Sequence, residues 1–231
     1  MVDEAQDLSA NEYHFIFEMI NPENFFVVGD YRQNIYESLK GASSKYILSL
    51  AERPGVVKYD LNENYRNKAN ILQRAKQALK PINMVDDSLA MSIGGTVYEG
   101  IYDIDRLSDW IENVDTFKDW AVLCYSNEEV AFIMKELGKS NIPVINFNQR
   151  KKTKAEIDAM VNANKVKVLT VWGAKGLGFP NVVVYGTNWM KKKREIEKKR
   201  EGARVEYVAY TRAMNSLIIL SPPKKNKGKW F

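Results

Sequence analysis

The feature that most constrains the fold is a series of short, nearly unbroken apolar runs. They are Phe25–Val28, Val56–Leu61, Thr96–Ile101, Trp120–Tyr125, Val144–Phe147, Val166–Val171, Val182–Tyr185 and Leu217–Leu220. Most lack polar alternation, so both faces of each strand must be covered, as in a parallel sheet with helices on each side. Helix-like segments lie between them. Asn67–Leu79 carries Ala69, Leu72, Ala75 and Leu79 at helical spacing. Asn127–Leu137 opens with an asparagine suited to an N-cap, followed by acids in the first turn. Met190–Ala213 places opposite charges four apart, as in Lys191/Glu195 and Lys193/Glu197. Strands alternating with helices predict α/β architecture.

Composition removes several function classes. Among 231 residues there is one cysteine, Cys124, and one histidine, His14. A disulfide framework, a cysteine-rich zinc site, a Ser-His-Asp triad and a multi-histidine metal site are therefore all disfavoured. No run approaches the ~20 apolar residues of a membrane span. Met1–Ala10 is too acidic and polar for a secretory signal, and a cytoplasmic protein is the simplest expectation. The net charge of +5 is uneven: Met190–Phe231 holds 13 Lys/Arg against 4 Asp/Glu, leaving 21 against 25 in the rest. Such a basic end suits a polyanionic partner, nucleic acid or nucleotide, and equally a solvated helix with a frayed tail. Glu52–Gly55 reads as a linker, Asn148–Asn164 as a polar spacer, and 222–231 as a basic disordered tail. Val2–Asp7 reads as the end of a strand with almost nothing before it, which leads us to expect an incomplete first unit.

Five segments carry chemistry. Asp3-Glu4 at a strand end suits a magnesium–nucleotide site, one carboxylate for the ion and one for the attacking water. Val27-Val28-Gly29-Asp30-Tyr31-Arg32-Gln33-Asn34-Ile35-Tyr36 ends a strand in a loop whose Gln33 amide can both donate to a phosphate and accept from a water. In Leu61-Asn62-Glu63-Asn64-Tyr65-Arg66, the guanidinium can reach a phosphate and the planar tyrosine can stack on a base. Val168–Pro180 surrounds Lys175 with Gly173, Gly176 and Gly178, which let backbone N–H groups approach an anion. Tyr207-Val208-Ala209-Tyr210-Thr211-Arg212-Ala213 offers one more guanidinium before the last strand. Taken singly, each also fits a solvated acid pair, a polar loop, a helix start or a glycine-rich turn.

In order, the signatures VDEAQD, VGDYRQNIY, LNENYR, LTVWGAKGLGFPNVVV and YVAYTRA resemble the C-terminal two-thirds of a UvrD/Rep/PcrA-type superfamily-1 DNA helicase. The resemblance runs from Val2 to about Leu220. It implies a RecA-like P-loop NTPase fold with an incomplete first motor domain over 1–53 and a second RecA-like domain over 54–221. It also implies roles: Asp3 on Mg²⁺, Glu4 as catalytic carboxylate, Gln33 as γ-phosphate sensor, Tyr65 stacking on adenine, and Arg66 and Arg212 as phosphate-facing arginines. Lys175 and Gly176 would belong to the nucleotide-binding motif that couples to DNA, with Tyr36, Thr170 and Trp172 on the DNA side. The implied activity is ATP hydrolysis coupled to 3′-to-5′ movement on single-stranded DNA.

The sequence also departs from that pattern. It contains no G-x-x-x-x-G-K-[ST], so we expect ATP hydrolysis only together with a missing or separately encoded N-terminal motor half. The rival expectation is a non-catalytic module that binds DNA or a partner. Trp172 stands where the family usually has His, and Gly178 where it usually has a ribose-contacting Glu. After Tyr36, Glu37-Ser38-Leu39-Lys40 replaces a second stacking aromatic. Only ~100 residues separate Arg66 from Val168, so an accessory domain is reduced to Asn148–Asn164 or absent. Val2–Ser49 is expected to pack on the rest of the chain, pair with another chain, or be mobile, because stripped sheets leave open edges.

Overall fold

A strand that is apolar on both sides must be covered on both sides, and the chain folds accordingly. The computed structural model describes residues 1–19, 25–37, 41–42, 44–101, 103–112, 114, 116–147, 152–186 and 195–221. In chain order the elements are α1 (Ala10–Met19), α2 (Ser44–Leu50), β1 (Glu63–Lys68), α3 (Ala69–Leu79), β2 (Leu89–Ser92) and β3 (Thr96–Ile101). There follow α4 (Ile104–Glu112), β4 (Trp120–Cys124), α5 (Asn127–Lys139), β5 (Val144–Asn146), α6 (Lys154–Asn162), β6 (Val166–Thr170), β7 (Phe179–Tyr185), α7 (Glu195–Tyr210) and β8 (Ala213–Ser221). Six strands form one sheet in the order β3-β8-β7-β4-β6-β5, with every pairing parallel.

Successive residues of the central strands feed two separate cores. Ala121, Leu123, Val182, Val184, Leu217 and Ile219 pack with Ile71, Ala75 and Leu79 of α3 and Val205, Val208 and Ala209 of α7. Val122, Cys124, Val183, Tyr185, Ile218 and Leu220 pack with Leu107 and Ile111 of α4 and Val130, Ile133 and Leu137 of α5. Helices thus cover both faces, the α/β arrangement that the apolar runs require.

Several sequence expectations need correction. Val56–Leu61 is not a strand. It runs without a ladder, and its apolar residues face solvent, with Tyr59 and Leu61 82% and 85% exposed. The strands in that region are instead β1 and β2, which pair parallel in a separate two-stranded sheet. Phe25–Val28 makes only an isolated bridge, Val27 to Val2. The N-cap of α5 is Ser126, not Asn127: its hydroxyl accepts the Glu129 N–H while the Glu129 carboxylate accepts the Ser126 N–H, a capping box. Within Asn148–Asn164 the described residues hold the single helix α6, started by the same device at Thr153 and Glu156. Met190–Arg194 and the tail at 222–231 lie outside the described residues.

The first fifty residues have a small core of their own, in which Ala5, Tyr13 and Leu50 are buried against Val2, Phe17 and Ile47. They also pack on the rest of the chain. Ile35 is fully buried within the large core beneath α3 and α7. Ile35→Ala is expected to cost about 2–5 kcal/mol while keeping one cooperative denaturant transition. Two separated transitions, with only one displaced, would show that the N-terminal residues fold apart from the sheet.

Candidate functional site

The LNENYR segment is shaped by its asparagines. The Asn64 carboxamide oxygen accepts the backbone N–H groups of Arg66 and Asn67 at 3.0 and 2.8 Å. The buried Asn67 in turn donates to the carbonyls of Thr211 and Ala213 at 3.0 and 2.6 Å. β1 is thereby pinned to the turn that leads into β8, and Arg66 is carried next to Arg212. Gly178, just before β7, makes room for this approach. A Cβ there would stand 2.7 Å from the Met214 methyl and 3.7 Å from the Arg66 side chain. A larger residue at 178 would have to displace the Met214 methyl, the flexible end of that side chain.

Arg212 is 1% exposed. Its Nε donates to the Val208 carbonyl at 3.0 Å and Nη1 to the Leu177 carbonyl at 3.1 Å. Nη2 donates to the Thr211 hydroxyl and to the Gln33 carboxamide oxygen, both at 3.1 Å. Burial first, and the Arg66 charge second, pull this guanidinium down to about 10, with Glu4 acting in the opposite direction. It therefore stays charged at neutral pH. Among the described residues Arg66 is exposed and forms no ion pair. Two neighbouring guanidinium charges, neither in an ion pair with a carboxylate among the described residues, suit an anion.

Gln33 is held from its other end as well. Its Nε2 donates to Asp30 at 3.1 Å, and Asp30 accepts Arg32 Nε at 2.7 Å. Arg32 Nη1 reaches Asp86 at 3.0 Å, and Asp86 accepts the Tyr207 hydroxyl at 2.9 Å. Since Tyr207 and Arg212 flank the C-terminal end of α7, the hydrogen bonds close a ring that passes through that helix. Burial alone would raise the Asp86 carboxyl. The hydrogen bonds from Ser88, the Arg32 charge and the Tyr207 hydroxyl outweigh it and hold the group below the usual aspartate value.

The acidic motif meets the lysine motif. Lys175 Nζ pairs with Asp7, lies 3.4 Å from Glu4, and sits 5.4 Å from the Tyr36 ring centre. Glu4 adopts a left-handed backbone (φ 51°), a conformation costly for a non-glycine residue, and accepts Gln6 Nε2 at 2.6 Å. Gln6 also accepts the Asp30 N–H at 3.0 Å. This contact demands Gly29, whose Cβ would fall 2.5 Å from the Gln6 oxygen. Asp3 is exposed, and one of its oxygens accepts the Glu4 N–H at 2.8 Å. Mg²⁺ usually takes one or two protein carboxylates and completes its shell with water and phosphate, so Asp3 fits such an ion. Among the described residues no three His, Cys, Asp or Glu side chains group into a metal site.

The other expected site residues make separate contacts, and Thr170 ends β6 beside Cys124, at the carboxyl end of that strand. Tyr65 is exposed on β1, with its hydroxyl on Glu63. The Trp172 indole donates to the Ile35 carbonyl at 3.3 Å, and the Thr170 hydroxyl accepts the Gly173 N–H at 3.1 Å. Gly176 has a positive φ of 79° in the turn after Lys175, which glycine adopts without strain. Glu37, in place of a stacking aromatic, pairs with Arg204 of α7. The structure thus gathers Glu4, Gln33, Arg66, Lys175 and Arg212. Asp30, Arg32, Asn64, Asn67 and Asp86 were missed as site residues. The asparagine-rich LNENYR could have flagged Asn64 and Asn67, while nothing local marks Asp86.

The described helices include none long and apolar enough to cross a membrane. Residues 1–54 match the family model of the UvrD/REP helicase N-terminal domain, and residues 145–222 match that of the UvrD-like helicase C-terminal domain. The chain belongs to the UvrD-like superfamily-1 helicases. It is 24% identical to a probable DNA helicase of Mycoplasma pneumoniae, over 96% of this chain and 43% of the relative. It is 29% identical to the ATP-dependent DNA helicase PcrA of Staphylococcus epidermidis, over 62% of this chain and 21% of the relative. The solved PRRSV helicase aligns over 96% of this chain and 34% of its own, with TM-score 0.48 and 14% identity. The chain spans less than half the length of the curated relatives it matches.

The depressed Asp86 carboxyl sets a pH dependence. The unfolded carboxylate takes up a proton at higher pH than the folded one. The Asp86 contribution is therefore complete above the ordinary aspartate value and is lost as pH falls through the lower folded value. In denaturant titrations at several pH values, the stability gap between wild type and Asp86→Asn is expected to be constant near neutrality and to shrink on acidification. A gap that is unchanged down to strongly acidic pH would contradict the assignment.

Proposed function

We propose that this UvrD-like chain is the phosphate-sensing and DNA-coupling part of an ATP-dependent helicase, its residues 1–53 belonging to a first RecA-like unit and 54–221 to a second. The observation that carries this reading is the convergence of Gln33, Arg66, Arg212 and Glu4 from four separate signatures. Asp3 would hold Mg²⁺, whose charge would neutralise the phosphates. Glu4 accepts the proton of the attacking water, and Gln33 orients that water. Arg66 and Arg212 stabilise the charge that builds on the transferred phosphoryl group, while Tyr65 stacks on the adenine. Lys175 links Glu4 to Tyr36, so a base stacked on Tyr36 and contacts at Thr170 and Trp172 can be felt at the hydrolytic carboxylate. Movement along single-stranded DNA in the 3′-to-5′ direction is the polarity that the family resemblance suggests. The phosphate loop is to be supplied by an N-terminal motor half.

One observation favours the rival, a non-catalytic DNA- or partner-binding module. Both ends of the Gln33 amide, and Lys175, are already bonded within the chain. Joining the chain to an N-terminal helicase segment that carries a phosphate loop separates the two. The helicase reading expects ATP hydrolysis stimulated by single-stranded DNA, with Arg66→Ala lowering kcat about a hundredfold or more. Background hydrolysis with intact oligonucleotide binding would establish the module instead.

A further inference from the structure

Asp86 lies between the two regions that the helicase family models match, residues 1–54 and 145–222, and belongs to none of the five signatures. Its carboxylate is nonetheless almost fully enclosed, with the side chain 1% exposed. It accepts from Arg32 at 3.0 Å, from the Tyr207 hydroxyl at 2.9 Å and from the Ser88 N–H at 3.0 Å. Arg32, so anchored, binds the Asp30 oxygen that faces away from Gln33, while the other Asp30 oxygen accepts the Gln33 NH₂ group. An amide whose nitrogen is committed to Asp30 must turn its oxygen the other way, and that oxygen is the one Arg212 reaches at 3.1 Å.

We propose that Asp86 is a positioning residue that sets the orientation of the Gln33 amide through Arg32 and Asp30. The role given to Gln33 rests on the helicase reading above, whereas the positioning itself is a property of this chain. Asp86 fixes Arg32 between two carboxylates. One Asp30 oxygen accepts both the Arg32 backbone N–H at 3.0 Å and Nε at 2.7 Å, so the Arg32 side chain sets the carboxylate plane about that backbone bond, and Asp30 selects which end of the amide faces Arg212. A group arriving at Arg212 then meets the Gln33 oxygen, and turning the Gln33 NH₂ toward that group requires breaking the bonds to both Asp30 and Arg212. Asp86 thereby sets how readily Gln33 exchanges its protein partner for another.

Selective ¹⁵N labelling of glutamine side chains, with the Gln33 signal assigned by its loss in Gln33→Glu, reads the amide directly in the full chain. In wild type, the Gln33 NH₂ protons are expected to exchange slowly with solvent. Asp86→Asn should speed this exchange about tenfold or more and shift the resonance, because the charge that anchors Arg32 is lost upstream. Tyr207→Phe removes a bond to Asp86 but keeps the Asp86–Arg32 pair. It should lower the melting temperature without changing the Gln33 signal. A merely structural Asp86 would make these two variants alike. Arg32→Lys, which keeps the charge but cannot bridge both carboxylates, should reproduce Asp86→Asn, and it decides the matter if Asp86→Asn does not fold. A Gln33 signal unchanged in the folded variants would overturn the proposal. Anisotropy of a labelled oligo(dT) on the same samples tests the reading beneath it. Failure of wild type to bind removes the role given to Gln33, a result distinct from an unmoved amide signal.

Discussion

A buried guanidinium dictates much of this structure. Removing an arginine from water is expensive unless its donors are met, and an arginine cannot escape by losing its proton at neutral pH. Arg212 solves this with carbonyls from the end of its own helix and from the turn before β7, and with a carboxamide from residue 33. The last of these joins distant parts of the chain. Because the Gln33 oxygen is one of its few side-chain acceptors, the N-terminal loop must sit against the turn that enters β8.

From that contact the other placements follow. Ile35, two residues beyond Gln33, drops into the large core. Trp172 binds the Ile35 carbonyl, and Lys175 bridges Asp7, Glu4 and the face of Tyr36. Asn67 holds β1 to the same turn, which brings Arg66 beside Arg212. Arg212 and Gly178 stand at the amino ends of β8 and β7, so the charged cluster meets this parallel sheet at its amino edge there. In parallel α/β sheets ligands usually collect beyond the carboxyl ends.

The central strands were legible because burial on both faces leaves a local trace: Ala121–Cys124, Val182–Tyr185 and Leu217–Leu220 are apolar at every position. The five signatures were legible because each is contiguous. The side-chain ring was not. Gln33 and Arg212 are 179 residues apart, and Asp86 and Tyr207 are 121 apart. Such pairings leave no periodicity to read. Val56–Leu61 shows the opposite failure. Its Val57, Tyr59 and Leu61 have the composition and spacing of a strand, but composition does not supply the neighbouring strand that a ladder needs. β1 was hidden because Glu63–Lys68 is polar, its strand being set by pairing with β2, with a register break between Asn64 and Lys68 where the Asn64 side chain accepts the Arg66 and Asn67 N–H groups.

The interaction at the centre is the bond between Arg212 and Gln33. A double-mutant cycle with Arg212→Lys and Gln33→Met, read by denaturant unfolding, measures it without recourse to activity. The expected coupling is about 1–3 kcal/mol, in the range for a buried hydrogen bond to a charged group. Additive effects, with coupling within about 0.5 kcal/mol of zero, would mean that the two residues do not meet in solution.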